Sequence, residues 1–409
     1  MTDEPTINET IAQRPRLVSR LRLVPLAVLV ALVASAAVAG ALKGTPVTPG
    51  APASALPKDP AVRAAEKAAK AEDRLRKAKK VCVPGYDTGV KREPWQGKLK
   101  ATSEQTFQKR IKKENPAYVR GKDGWKFFTD YQSQDFSQSL GRVTQTAKQR
   151  EAWARWIAKS EKIVKQAGGE YRVVIAPAKW DVNPQKLPTW AQKLRGSTSL
   201  VKLMAAHPEL PWIDTRAALA KAARKTPTYE PLDSHWTPYG GYVAWQQITR
   251  CLRAGNKNFA ALTAPSITGV DVMGNSNEFV DNGVPSGKPR RTYPIYAQPH
   301  PATTTTHQPD GAEIPTSGDF VTDTVQAPLK TSTTGAQAPE LTMLTLRDST
   351  GNALSPLYSW SFGTTVQYGH GIGQTGLKPP DLAKLMATYH PQVVLFVVTE
   401  RFLAQRAPK

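Results

Sequence analysis

Cysteine is nearly absent: the 409 residues hold two, Cys82 and Cys251. The six histidines are scattered, and neither they nor the cysteines fall at metal-ligand spacing. A zinc framework is therefore excluded and no metal is expected. No glycine-rich phosphate loop is present, so no nucleotide or other cofactor is expected. No internal repeat is found. Acidic residues are few, 33 against 55 lysines and arginines, giving a formal net charge of +22 and a pI near 9.9. Such basicity raises the question of nucleic acid. The positive charge is dispersed, however, and no zinc finger, recognition helix or RNA-binding signature accompanies it, so no nucleic-acid partner is expected. A surface facing acidic glycans or anionic lipid explains the charge equally well.

One long hydrophobic run is present. Leu23–Leu42 is uncharged over 20 residues, enough to cross a bilayer as a helix. Arg14, Arg16, Arg20 and Arg22 precede it and only Lys43 follows closely. That asymmetry predicts a cytoplasmic N-terminus and an extracytoplasmic remainder. A cleaved signal peptide is the competing reading, with small-residue sites at Ala34-Ser35-Ala36 and Ala39-Gly40-Ala41. The length favours an uncleaved single-pass anchor in the cell membrane. In an exported chain Cys82 and Cys251 are read as one disulfide, with two unrelated thiols as the alternative.

The chain divides into a cytoplasmic tail (1–22), the anchor (23–42), a linker and basic helix (43–81), and a folded domain (82–409). Ala61–Lys80, rich in Ala, Lys, Arg and Glu, is expected to be a solvated helix. Tyr118–Phe128 reads as strand, turn at Lys122-Asp123-Gly124, and strand. Thr144–Ala167 carries Trp153, Trp156, Ile157, Ile163 and Val164 at helical spacing. Tyr171–Ala176, Leu341–Leu346 and Val393–Val398 read as buried strands. Thr237-Pro238 opens a helix to about Arg253, Thr as N-cap and Pro in the first turn. A low-complexity insertion, about 300–339, includes the Thr303–Thr306 tract and is expected to be mobile. Strands alternating with helices predict an α/β sandwich with a mostly parallel sheet.

The chemistry concentrates in two segments. Residues 231–241 read Pro-Leu-Asp-Ser-His-Trp-Thr-Pro-Tyr-Gly-Gly. Asp233 and His235 lie two apart, so an extended backbone projects both from one side. A carboxylate beside an imidazole fixes its tautomer and stabilises its charged form, as a general base requires. Arg347-Asp348-Ser349-Thr350-Gly351-Asn352 then follows the apolar run Leu341–Leu346. That puts Ser349 on a strand-to-helix turn, where unpaired amides can hold an oxyanion. Gly351 lets the backbone approach closely and Asn352 offers a side-chain donor. The plainer reading makes Ser349 only a helix cap and Asp233/His235 a buried polar pair. His370, between two glycines, is a rival base. Lys179 is read as an exposed strand-end lysine, with a place facing the site as the alternative, and Glu400 and Arg401 as partners in structural ion pairs.

Asp233-Ser234-His235-Trp236-Thr237 closely resembles the Asp-x-His-Trp-Thr signature of the alginate O-acetyltransferase family, the AlgX/AlgJ-like proteins with SGNH hydrolase-like domains. Gly121-Lys122-Asp123-Gly124-Trp125, Val174–Lys179, Arg347-Asp348-Ser349 and Glu400–Leu403 resemble further family motifs, in order. Thr350 departs from the family, which commonly has an aromatic residue there. The resemblance implies a three-layer SGNH-like sandwich and a triad of Ser349, His235 and Asp233, with Asn352 and Gly351 as oxyanion candidates. It implies acetyl transfer to a hydroxyl of a cell-envelope or exported polysaccharide, with a membrane-bound O-acyltransferase partner as acetyl source. An acetylesterase using the same triad, or an inactive glycan-binding scaffold, are the alternatives.

Overall fold

The computed structural model describes residues 60–90, 98–299, 304–307, 311–316, 329–373 and 378–408. The expected tail and the Leu23–Leu42 run lie outside them. No helix among the described residues is long and apolar enough to cross a membrane. The chain divides into two units, Met1–Ala64 and Ala65–Lys409. Of the first, only the start of the helix Pro60–Cys82 is described. The second carries every strand and all the remaining helices among the described residues.

An eight-stranded sheet organises this second unit. Five neighbouring strands are parallel: β4 (Trp212–Asp214), β3 (Glu170–Ala176), β12 (Val393–Thr399), β10 (Ala338–Arg347) and β11 (Phe362–Gly369). Beyond β11 the direction reverses. β9 (Leu329–Thr333), β7 (Thr304–His307) and β8 (Glu313–Thr316) continue the sheet antiparallel. The sheet is thus mixed, and the expected mostly parallel sheet is corrected. The reason lies in the segment read as a mobile insertion. The β-branched threonines of Thr304–His307 suit a pleated strand, and this piece pairs with β9 as an added strand. Thr306 and Thr331 are buried by that pairing.

The parallel strands are covered on both faces. Val174, Met343, Val393, Leu395 and Val397 pack on one side with Trp245, Ile248 and Leu252 of the helix Pro238–Gly255. Val173, Ile175, Leu344, Val394, Phe396 and Val398 pack on the other with Trp153 and Ile157 of Ala147–Gln166 and Leu385 of Leu382–Tyr389. Alternate residues of each strand serve opposite layers, as the two-residue strand period requires. Three layers result, and all seven residues of β12 are buried. Two antiparallel pairs lie outside the main sheet: β1 (Tyr118–Arg120) with β2 (Lys126–Phe128), and β5 (Ile267–Val272) with β6 (Thr292–Tyr296).

Cys82 and Cys251 are joined by a disulfide, their Cα atoms 4.7 Å apart. The bond closes a loop of sequence separation 169 and ties the end of the first described helix to Pro238–Gly255. On the chain-entropy account a loop of this length stabilises by about 5 kcal/mol. Reducing it is expected to lower the unfolding free energy, read from a denaturant titration, by an amount approaching that figure. A midpoint unmoved by reductant would show that the loop is held closed without it.

Candidate active site

The site forms beyond the C-terminal ends of the parallel strands, where open α/β sheets place their ligand crevices. β10 delivers Asp348 and Ser349. Asp348, not Ser349, is the N-cap of the turn Ser349–Leu354: its Oδ1 accepts from the Thr350 amide at 2.9 Å. Its Oδ2 accepts from the Thr399 amide at the end of β12 (2.7 Å) and faces His370 Nε2 (3.3 Å). Burial would raise the Asp348 carboxyl, but the bond and charge of His370 and the Thr399 contacts hold it well below the usual carboxylate range. Because Asp348 does the capping, the Ser349 hydroxyl is left for other use. The rival base His370 is itself committed, since its Nδ1 accepts from the Ile372 amide at 3.0 Å.

Asp233 and His235 come from a loop pinned along its length. The Pro231 carbonyl accepts from Lys126 N (2.9 Å) and Lys179 Nζ (3.0 Å), and the Leu232 carbonyl from Glu278 N (3.0 Å). Thr237 caps the following helix through Gly240 N at 3.0 Å, as its position beside Pro238 predicts. Two contacts dock this loop and helix onto the serine turn. The buried Trp236 indole donates to the Thr350 carbonyl at 2.8 Å. Gly241 meets Ala353 so closely that a Cβ on it would lie 2.6 Å from the Ala353 carbonyl oxygen. The neighbouring Gly240 likewise packs against the Thr228 carbonyl.

The docking brings three side chains into line. His235 Nε2 lies 2.9 Å from Ser349 Oγ, and His235 Nδ1 lies 2.7 Å from Asp233 Oδ1. An ionised carboxylate only accepts, so Nδ1 carries the proton and Nε2 accepts from the serine hydroxyl. The His235 side chain remains 26% accessible, which leaves a path for substrate, while Asp233 is buried. Burial opposes protonation of His235, but the Asp233 bond and charge, aided by Glu278, raise its pKa above the ordinary value. Burial likewise opposes ionisation of Asp233, and the bonds and charge of His235 outweigh it.

Several site residues were not found by sequence reasoning. Glu278 accepts from the Ser234 amide, accepts from Ser234 Oγ at 3.0 Å, and lies 3.6 Å from His235 Nδ1. Arg291 Nη1 reaches Asp233 Oδ2 (3.4 Å) and Glu230 Oε1 (3.3 Å). Neither sits in a motif, so nothing local marked them. Lys179, expected to be exposed, is buried against Trp125, Phe127 and Phe279. Burial pulls its pKa down to about 8 against the carboxylates of Glu278 and Asp233. Glu400 and Arg401 form no ion pair among the described residues. The Glu400 carboxyl accepts instead from Ala178 N (3.1 Å) and Thr198 Oγ1 (3.0 Å).

The oxyanion candidates fare differently. The Gly351 amide donates to the Asp348 carbonyl at 3.1 Å. A Cβ on Gly351 would strike the Arg347 side chain, so this glycine serves packing. Asn352 is anchored by Arg347 Nη1, which donates to its Oδ1 at 2.6 Å. The Ser349 amide takes no partner among the described residues. Asp233, His235 and Glu278 bring ligand atoms within 4.8 Å of one another, but the Asp233–His235 hydrogen bond already occupies that space with a proton.

The family description of the SGNH hydrolase-like domain of acetyltransferase AlgX matches residues 118–328, just over half of the chain. The chain belongs to this acetyltransferase family. Among solved structures, a DHHW family protein from Eubacterium siraeum is similar at 16% identity, over 71% of this chain and 96% of its own, with a TM-score of 0.50. Bacillus cereus PatB1, solved with a sulfonyl adduct, is similar at 14% identity, over 70% and 97%, with a TM-score of 0.51. The O-acetyltransferase domain of Pseudomonas putida AlgJ matches at 17% identity, over 72% and 94%, with a TM-score of 0.42. At these identities the first two likenesses are of fold. No curated protein matches the chain.

Gly241→Ala is expected to push the two docked segments apart, at a cost of about 1–3 kcal/mol. The check is calorimetric Tm. An unchanged Tm would show that the Gly241–Ala353 approach is not constraining.

Proposed function

We propose that this chain is an extracytoplasmic O-acetyltransferase, anchored by Leu23–Leu42, that acetylates hydroxyls of a cell-envelope or exported polysaccharide through an acyl-enzyme on Ser349. The observation that carries the reading is the continuous hydrogen-bond line from Ser349 Oγ through His235 to Asp233. His235 Nε2 takes the serine proton as Oγ attacks the acetyl donor's carbonyl carbon. A tetrahedral oxyanion forms, with the Ser349 amide and the Asn352 carboxamide as proposed donors. The imidazolium returns its proton to the departing group, leaving acetyl-Ser349. An acceptor hydroxyl then gives its proton to Nε2 and attacks the acetyl carbon, and Ser349 Oγ leaves, taking that proton back from Nε2. Asp233 holds the tautomer throughout.

Acetyl-CoA is cytosolic, so an external transferase needs another acetyl source. A membrane-bound O-acyltransferase that passes acetyl across the bilayer meets that need, and the proposed anchor would keep the domain at high effective concentration beside it.

The test uses the full-length chain in detergent with an activated acetyl ester, with and without oligosaccharide. Acetyl on Ser349 and acetylated sugar, both read by mass spectrometry, are expected. Ser349→Ala should abolish both while the circular dichroism spectrum is kept; turnover that survives in this variant would defeat the mechanism. Hydrolysis with no sugar acetylation would identify an esterase, and glycan binding with no turnover a scaffold.

The rate should depend on neutral His235. With its pKa raised above 6.5, activity falls as pH drops through that higher value. Asp233→Asn removes the main stabilisation of the imidazolium, so the acid limb moves to lower pH. The same change should cut kcat by on the order of 10³–10⁴-fold, because the tautomer is no longer held. An acid limb unmoved in Asp233→Asn would show that His235 is not the titrating base.

A further inference from the structure

Arg401 stands just past β12, two residues beyond the Thr399 amide that bonds Asp348. It is 7% exposed, yet no carboxylate lies within ion-pair distance of its guanidinium among the described residues, and its buried Nε has no hydrogen-bond partner. Burying an unpaired guanidinium is costly, and the contacts it does make, over Phe128 at 5.9 Å and Phe402 at 5.5 Å, only partly offset that cost. Its charge is felt at His235, where it opposes protonation. The group therefore stands within electrostatic range of the proposed reaction centre, and of the buried Asp135, with its Nε–H unpaired.

Phe128 carries a second feature. Tyr131 sits edge-on to it at 5.9 Å and is the one strongly exposed aromatic among the described residues, at 60%. Both Glu278 and Arg401 act electrostatically on the Tyr131 hydroxyl. Phe128 in turn packs on Phe279 at 5.0 Å, and the adjacent Glu278 binds the residue before His235. The Tyr131 loop is held rigid at some cost: Ser133 and Gln134 adopt φ of 53° and 57°. Asp130 Oδ1 fixes it by accepting from Ser137 N at 2.7 Å, and Gln138 Nε2 bridges the Ser133 carbonyl (2.7 Å) and the Arg401 carbonyl (2.9 Å).

We propose that Tyr131 and Arg401 form the acceptor subsite: a pyranose ring lies on the exposed face of Tyr131, and the Arg401 guanidinium donates to an oxygen of that sugar beside the hydroxyl to be acetylated. The assignment rests on the polysaccharide-acetyltransferase reading above. A ring face offers C–H groups to an aromatic, and its oxygens accept from a guanidinium, so one platform and one donor fix both position and orientation.

The test separates binding from chemistry by using full-length Ser349→Ala protein and two probes, a hexamer of N-acetylglucosamine and a hexamer of galacturonate, titrated calorimetrically. Adding Tyr131→Ala or Arg401→Gln should weaken binding of at least one probe about tenfold or more. A preference for the galacturonate that vanishes in Arg401→Gln would identify a carboxylate as the arginine's partner. Equal loss on both probes would identify a neutral sugar oxygen. Tyr131 is exposed, so Tyr131→Ala tests the subsite even if the arginine variant is unstable. Affinities unchanged in both variants, or no binding of either probe to the Ser349→Ala parent, overturn the subsite. Acetyl-Ser349 formation by the protein with Ser349 intact is a separate readout, so the subsite and the acyl-enzyme reading fail independently.

Discussion

The docking of one loop on one turn governs the rest of the site. Ser349 and His235 stand 114 positions apart, and the hydrogen bond between them survives only if the Pro238–Gly255 helix seats against the Ser349–Leu354 turn. Two features secure that seating. Gly241 removes the side chain that would hold the backbones apart. Trp236 then fills the interface and satisfies the Thr350 carbonyl one residue past the proposed nucleophile. A buried indole N–H and a buried carbonyl each need a partner, and here each is the other's. The residue flanking the proposed base therefore positions the turn that carries the serine. The disulfide fastens the same helix from its far side.

Asp348 plays the complementary role from within the sheet. One carboxylate gathers the ends of three adjacent strands: its own β10, β12 through Thr399, and β11 through the following His370. Its caps and bonds make the turn rigid without help from Ser349. A serine that capped its own helix would spend its hydroxyl on a backbone amide; placing the acid one position earlier relieves it of that duty. Rigid donors and acceptors of this kind need little rearrangement when charge develops beside them.

Much of this was legible in the chain. The Asp-x-His spacing, the Thr-Pro helix start and the strand–Asp–Ser turn each have a local physical cause, and the structure places them where that cause requires. The three most apolar strands were legible too. What escaped has a common character. β7 is built of threonine, whose β propensity is masked by its polarity. β11 mixes Gly, Thr and Gln with few apolar residues and takes its place only because β10 and β9 flank it. Glu278 and Arg291 lie in a polar, glycine-rich stretch and acquire meaning only through contacts with Ser234 and Asp233. Lys179 was misjudged because lysine usually faces water; the carbonyl of Pro231 and three aromatic rings hold it inside.

The charges around His235 explain why those residues are needed. A base must be proton-free at rest and able to hold a proton in passing. Asp233 alone would strongly favour the charged imidazole, and Glu278 adds to it. Burial opposes that pair, which shifts His235 toward its charged form. Arg401 acts on His235 in the opposite sense. Arg291 binds the outer oxygen of Asp233, and the Lys179 charge lies close to both carboxylates. Each cation withdraws part of the field that the acids impose on the ring. The resulting balance supports a base whose proton affinity is raised but not fixed, and it is spread over residues from loops, a strand end and a helix. A motif read from two short segments therefore points to the proposed reacting atoms, while the field around them is a property of the folded chain.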